Sequence, residues 1–190
     1  LVLYGGLTLT CVAYCAPAAA AHANKICITC VLKVDYNLFQ EVTYESDYFA
    51  GSSSSGSAGA LACELMWSPL IFIDCGVGVQ CESLDEGLEN AAVFLFPIYG
   101  VLRIPVKSQF ATVYAAGRVG GTIVCAPRYW PNSDLNGGLY YGAAIGFILL
   151  DRLVVEAAAG QCSYSHQLGW TSIESEYTKI ALCCGVNLRL

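Results

Sequence analysis

Apolar and polar residues alternate along much of this chain, and that alternation predicts β-strands whose two faces meet different surroundings. The pattern is clearest in the last fifty-five residues, 136–190, which we interpret as three consecutive strands. In the final strand one face is aliphatic, and the opposite face carries charged and small residues. The aliphatic face consists of Ile180, Leu182, Cys184, Val186, Leu188 and Leu190, and the opposite face of Lys179, Ala181, Cys183, Gly185, Asn187 and Arg189.

The same reasoning predicts eight strands in the whole chain. Five precede the C-terminal three, at residues 25–36, 58–67, 70–81, 91–104 and 110–125. The connections between them alternate in length. Residues 37–57, 82–90 and 126–136 form long connections, 68–69, 105–109 and 150–152 short ones, and 167–173 one of medium length. Long loops on one side and tight turns on the other are typical of outer-membrane β-barrels.

Composition favours a membrane protein without helical spans. The chain is 56% hydrophobic and 13% charged, with a mean hydropathy of +0.54. A transmembrane helix needs about 20 consecutive apolar residues, and only residues 1–21 offer such a stretch. Elsewhere Gly, Ser or a charge interrupts the apolar runs, as in membrane strands. The net charge of −6 argues against nucleic acid as a partner.

The first 23 residues have the features of a secretory signal peptide. An apolar core ends in small residues, and Ala21-His22-Ala23 is a suitable cleavage site. We therefore expect two parts: a signal-peptide-like segment at 1–23 and a β-barrel at 24–190. If the segment is retained, it would serve as an anchor or lie beside the fold.

The charges within the predicted strands all fall on the face opposite the aliphatic one. Positive and negative residues on that face are nearly equal in number. This near-balance predicts an ion-pair network in a closed interior, because an unpaired buried charge costs several kcal/mol. Interior glycines would make room for these side chains, and eight strands leave an interior just wide enough to be filled. The five positive and four negative residues are Lys33, Asp35, Glu64, Asp74, Arg103, Arg118, Glu156, Lys179 and Arg189.

Aromatic residues at the strand ends predict interfacial girdles, where amphipathic rings lie at the level of the lipid headgroups. The candidates are Trp67, Trp130, Tyr141, Trp170 and Tyr177. The eleven cysteines are interpreted mainly as small apolar residues, with a metal or disulfide framework as the alternative.

The stretches "GGLYYGAAIGFILLDRLVVEAAAGQCSYS" and "YTKIALCCGVNLRL" resemble the penultimate hairpin and the C-terminal assembly strand of small outer-membrane barrels, the OmpA/OmpX/Opa and OmpW group. This resemblance implies an all-β, eight-stranded, antiparallel up-and-down transmembrane barrel in a bacterial outer membrane. Outer-membrane lipid and the barrel-assembly machinery are the implied partners. The assembly strand ends at Leu188 and Leu190, where the group usually has a terminal aromatic residue.

Two functions agree with such a barrel. The first is a surface, adhesin-type or membrane-structural protein whose acidic loops meet a host or matrix surface. Those loops are predicted to hold Glu41, Glu45, Asp47, Glu82, Asp85, Glu86, Glu89, Asp134, Glu174 and Glu176 against a lone Arg128. The second is a narrow OmpW-like pore for small hydrophobic molecules, lined by the interior charges with Tyr99 and Tyr114.

Two further alternatives are weaker. A secreted lipocalin-like barrel would bind a ligand, with its aliphatic face inside and its charges outside. An enzyme would need His166 to meet a nucleophile and a carboxylate, but neighbouring Ser165 points to the opposite face of the strand. We therefore expect no enzyme activity, no catalytic or metal site and no cofactor.

Overall fold

The computed structural model describes residues 28–46, 50–55, 59–70, 72–85, 92–108, 110–125, 133–168 and 171–190. The segment 1–23 lies outside the described residues, so the prediction of a signal peptide stays a prediction. The strands are β1 (Ile28–Glu45), β2 (Ala50–Ser55), β3 (Gly59–Leu70), β4 (Ile73–Asp85), β5 (Ala92–Lys107), β6 (Ala111–Cys125), β7 (Ser133–Leu149), β8 (Leu153–Leu168) and β9 (Thr171–Arg189).

These strands form one closed antiparallel barrel. From β3 to β9 each strand pairs with the next, and β9 returns to pair with β1 from Thr29 to Glu45. Strands β2 and β3 pair with successive parts of β1 and together occupy one position, so nine strand segments make eight positions. The predicted fold class, an eight-stranded up-and-down barrel, is confirmed.

The outer surface of the barrel is an apolar belt. Aliphatic side chains from every strand position are exposed on it, among them Val119 at 66% and Ile145 at 65%. On β7 the belt runs from Leu139 to Leu149, which is close to the 9–11 residues that a tilted strand needs to cross a bilayer. Because such a surface is stable in hydrocarbon and not in water, we assign the belt to the bilayer. The lipocalin-like alternative, with the aliphatic face inside, is wrong.

Among the described residues, no helix is long and apolar enough to span a membrane.

A β-bulge in β1 reverses the polarity of the barrel wall. The register with β9 shifts between Asn37 and Phe39, so that Leu38 and Phe39 both face outward. On the side of the bulge toward Ile28, which we call below, the interior is polar and the exterior apolar. On the side toward Glu45, which we call above, the inward residues include Val42, and the outward residues are Glu41, Thr43 and Glu45.

The barrel therefore continues beyond the belt as a second section, in which β1 has a polar exterior and its inward side chains are Val42 and the buried Gln40. We call residues 40–45 of β1, with β2 and the adjoining ends of β8 and β9, the outer section. The interpretation of residues 37–57 as a loop is wrong over 37–45 and 50–55, which are paired strands. The serine-rich composition suggested a loop, but pairing with β1 satisfies the backbone of these residues.

Arginine in the middle of the belt should oppose membrane insertion. We expect Ile145→Arg to weaken folding into lipid vesicles by about 2–4 kcal/mol, the cost of a charge near the bilayer midplane. Reversible denaturant unfolding followed by tryptophan fluorescence measures this cost.

Thr43→Arg is the matched control, because Thr43 also faces outward but lies in the outer section. Its expected effect is within about 0.5 kcal/mol, as for other exposed polar positions. Equal costs at the two positions would contradict the assignment of the belt.

The filled interior as the candidate functional site

The lower half of the interior is crossed by an ion-pair network centred on Arg118. Its Nε donates to Glu64 Oε1 at 3.0 Å, and its Nη2 donates to Glu156 Oε1 at 2.6 Å. These carboxylates come from β3 and β8, while Arg118 belongs to β6. One guanidinium therefore links three walls of the barrel, and its planar fork suits two carboxylates at once.

Lys33 and Arg103 complete the neutralisation of the two glutamates. Lys33 Nζ lies 2.7 Å from Glu64 Oε1 and 3.4 Å from Glu156 Oε1. Arg103 Nη2 lies 3.3 Å from Glu64 Oε2. Glu64 is fully buried, so three cations around one carboxylate replace the water that it has lost.

A second cluster lies nearer the outer section and is centred on Glu82. Lys179 Nζ is 2.8 Å from Glu82 Oε2 and 3.8 Å from Asp35 Oδ2. Asn37 Nδ2 donates to Glu82 Oε1 at 2.6 Å, and the Tyr177 hydroxyl donates to the same oxygen. Gln80 Nε2 donates to Glu82 Oε2 at 3.3 Å, so Glu82 is held by one cation and three neutral donors.

Five of the charged residues in the two clusters stand opposite a glycine on a neighbouring strand. Lys33 pairs in register with Gly185, and Glu64 pairs with Gly78. A Cβ built on Gly78 would lie 2.9 Å from Cγ of Glu64 and 2.6 Å from Cε2 of Tyr99. The glycines thus provide the volume that long inward side chains occupy. Further register pairs of this kind are Arg118 with Gly142, Glu156 with Gly146 and Lys179 with Gly160.

Tyrosine rings fill the space between the charges. The Tyr114 hydroxyl donates to Glu156 Oε2 at 2.9 Å, and the Tyr99 hydroxyl lies 3.3 Å from Glu64 Oε1. The guanidinium carbon of Arg103 lies 4.2 Å from the centre of the Tyr114 ring, in a cation–π contact. Tyr99 also packs against Tyr140, with ring centres 5.1 Å apart. The two tyrosines proposed to line a pore are thus bonded into the network.

The structure places seven of the nine predicted network residues in these clusters: Lys33, Asp35, Glu64, Arg103, Arg118, Glu156 and Lys179. The other two lie outside the clusters. Asp74 is half-buried and accepts a hydrogen bond from Ser68 at 2.6 Å, and Arg189 is exposed at the end of β9.

Sequence reasoning assigned Glu82 to an acidic loop, but it is an interior residue. Strand β4 continues to Asp85, and Glu82 has the inward parity of Gly78 and Gln80. With Glu82 included, the buried charges among the described residues are four positive and four negative: Lys33, Arg103, Arg118 and Lys179 against Asp35, Glu64, Glu82 and Glu156. The parity of β4 was the signal that could have identified Glu82.

The predicted interface aromatics divide into three groups. Trp67 and Tyr141 are exposed on the outer surface, at 37% and 51%. Tyr177 was expected at the interface but is buried, because it shares the inward parity of Lys179 and bonds to Glu82. Trp130 and Trp170 lie outside the described residues. Leu188 and Leu190, at the end of the predicted assembly strand, are both exposed on the outer surface.

Above the Glu82 cluster a group of apolar side chains packs inside the barrel, and we call it the apolar plug. Its buried members come from β1, β4 and β5, with Val124 of β6 packed against them. The plug consists of Val42, Leu84, Val93 and Leu95.

The residues considered for an enzyme are not grouped around His166 by the strand register. Ser165 pairs with Glu174, and Ser163 pairs with Glu176, whereas His166 pairs with Ile173. Adjacent Cys183 and Cys184 face opposite sides of β9, one buried and the other exposed. Within the described ranges, no group of three or more His, Cys, Asp or Glu side chains is arranged to hold a metal ion.

The chain resembles known proteins in structure but not in sequence. No protein-family model matches it, and neither does any curated protein. Neisserial surface protein A matches with a TM-score of 0.57 and 10% identity, over 86% of this chain and 97% of its own. The outer membrane protein OprG from Pseudomonas aeruginosa matches with a TM-score of 0.54 and 9% identity, over 87% and 96%. This is the fold of the small outer-membrane β-barrels.

Removing Arg118 should destabilise the barrel by leaving two buried carboxylates short of a cation. We expect Arg118→Met to cost about 3–5 kcal/mol in unfolding free energy, as for other broken buried ion pairs. Adding Glu156→Gln restores the balance of charges and should recover part of that loss.

Denaturant unfolding in lipid vesicles compares the parent, the single variant and the double variant. Arg152→Met is the control, because Arg152 is an exposed turn residue. A single variant as stable as the parent, or a double variant less stable than the single one, would contradict the role of the network.

Proposed function

We propose that the protein is a non-conducting outer-membrane barrel that acts at the cell surface through its outer section. The observation that carries the proposal is the filling of the interior by two ion-pair clusters and an apolar plug. Long loops face outward and tight turns face the periplasm in barrels of this architecture. The outer section adjoins the long connections and would therefore be displayed on the cell surface.

The interior contacts argue against a pore. Side chains from separated strands meet within hydrogen-bonding distance, as Arg118 does with Glu64 and Glu156. A permeating molecule would have to separate these ion pairs, which costs several kcal/mol for each buried charge left without a partner. The apolar plug adds a second obstacle at the outer end, because water and ions are excluded from a packed aliphatic cluster.

The outer section offers an acidic and hydroxyl-rich surface. Strands β1 and β9 lie side by side there, and Glu45 pairs in register with Glu174 while Thr43 pairs with Glu176. None of the described outward side chains above the belt is basic. Such a surface attracts basic partners and repels acidic ones, which supports contact with a basic host or matrix protein. Asp47, Glu86, Glu89 and Arg128 lie outside the described residues.

A non-conducting barrel predicts a negative result in planar bilayers. The purified protein should give no steady current at moderate voltages, whereas a porin inserted under the same conditions provides the positive control. Refolded protein must show the heat-dependent shift in gel mobility that marks a closed barrel. A stable single-channel conductance from such protein would contradict the proposal and favour the pore.

A surface that recognises basic partners predicts salt-sensitive binding of an oligolysine peptide to the protein in zwitterionic nanodiscs. Changing four outer-section carboxylates to amides should weaken binding by about tenfold, equivalent to about 1.4 kcal/mol. The four substitutions are Glu41→Gln, Glu45→Gln, Glu174→Gln and Glu176→Gln.

Asp74→Asn with Asp151→Asn is the matched control, since it makes the same chemical change at the turn end of the barrel. This control should bind the peptide as the parent does. Equal weakening by both sets would show that net charge, and not the outer section, attracts the peptide.

A further inference from the structure

The turn end of the barrel contains an open vestibule, in contrast to the plugged outer end. The vestibule has a volume of about 860 Å³ and is bounded by the ends of β1, β3 to β7 and β9 and by the turn between β7 and β8. Pockets for small molecules have volumes of about 300–1,000 Å³, so this space suits a ligand of that size.

The wall of the vestibule is basic. Four cations line it, Arg103, Lys107, Arg152 and Arg189, against the two carboxylates of Asp74 and Asp151. Lys107 and Arg189 continue the inward parity of Arg103 and Asn187, so both belong to the inner wall and not to the lipid-facing belt. These cations are therefore not placed as ordinary partners of the surrounding headgroups.

Three of the four cations are not neutralised by the protein. Among the described residues, every ion pair involves the interior clusters, and none includes Lys107, Arg152 or Arg189. Asp74 is engaged by the hydroxyl of Ser68. With Arg103 paired to Glu64, the vestibule holds three cations against two carboxylates and therefore carries a small net positive charge.

Arg103 forms part of the floor of the vestibule. It is 2% exposed, bonds through Nη2 to Glu64, and stacks on Tyr114. Its cationic head is therefore fixed beneath the more exposed cations of the rim.

Two hydrogen bonds from Asn187 connect the segments that carry the rim cations. Asn187 N donates to the carbonyl of Arg152 at 2.6 Å, and Asn187 Nδ2 donates to the carbonyl of Asp151 at 3.1 Å. These bonds tie the turn between β7 and β8 to the end of β9, where Arg189 lies. Arg152 and Arg189 are therefore carried by connected segments, and a positioned pair binds an anion at a lower entropic cost.

From these features we propose that the turn-end vestibule binds a phosphate group, with Arg152 and Arg189 at the rim and Arg103 at the floor. Guanidinium groups match the geometry of phosphate oxygens, and Lys107 adds a point charge. The phosphate belongs either to a soluble phosphorylated molecule or to a lipid headgroup. This inference concerns the end opposite the outer section and does not depend on the proposed surface function.

Two measurements on the full chain in maltoside micelles test the site. Calorimetric titration with inorganic phosphate detects the soluble source, and native mass spectrometry with phosphatidylglycerol detects the lipid source. We expect saturable binding with one site in at least one measurement. Binding confined to phosphate identifies a soluble ligand, and binding confined to phosphatidylglycerol identifies a headgroup.

Variants of the rim decide whether that binding belongs to the vestibule. Arg152→Gln with Arg189→Gln should weaken binding by about tenfold or more, because two charge-assisted contacts are lost. Asp151→Asn removes a neighbouring negative charge and should strengthen binding. All three positions are exposed, and an unchanged heat-dependent gel shift will show that the variants fold.

The proposal is overturned if neither probe binds saturably to the parent protein. It is also overturned if the rim double variant binds as tightly as the parent, because the phosphate would then lie elsewhere.

Discussion

The neutrality of the buried charges is the constraint on which the rest of this barrel depends. In the part of the chain that the structure describes, four cations and four carboxylates lie inside, and side chains such as Arg118 connect strands that are not neighbours in the sheet. Each charge is tolerable only because partners from other strands reach it. The network therefore stabilises the closed barrel only in the correct register. The hydrogen bonds between adjacent strands alone do not require that register.

Glycine makes that network sterically possible. Residues such as Lys33, Glu64 and Glu156 stand opposite glycines in the register of neighbouring strands. A slip of one residue would turn the charges toward lipid and would also oppose them to larger side chains. The pairing of a long polar side chain with a glycine thus specifies register from inside the barrel, while the aliphatic belt specifies it from outside.

The sequence was sufficient to predict the strands in which apolar and polar residues alternate regularly. Alternation predicted the membrane strands, their inward charges and the closed fold, because each residue in a regular strand fixes the face of the next. It failed where that period breaks. The bulge at Leu38 and Phe39 shifts the parity of β1, so Val42 faces inward and Glu41 outward, the reverse of what an unbroken alternation from Lys33 would give. Composition suggested that Tyr177 lies at the membrane interface and Glu82 in an acidic loop. The parity of both residues in their strands instead marks them as interior.

The reversal at the bulge explains why the two ends of the molecule differ. Beyond it, Val42 packs inside the barrel with Leu84 and Leu95, and the polar residues Glu41, Thr43 and Glu45 of β1 face outward. No such reversal occurs at the turn end, where the inward face remains polar through Lys107 and Arg189 and borders an open space. A barrel that is sealed on one side and open on the other need not transport anything across the membrane. Its outer wall and its inner mouth can each contact a different partner, and the ion-pair network fills the interior between them.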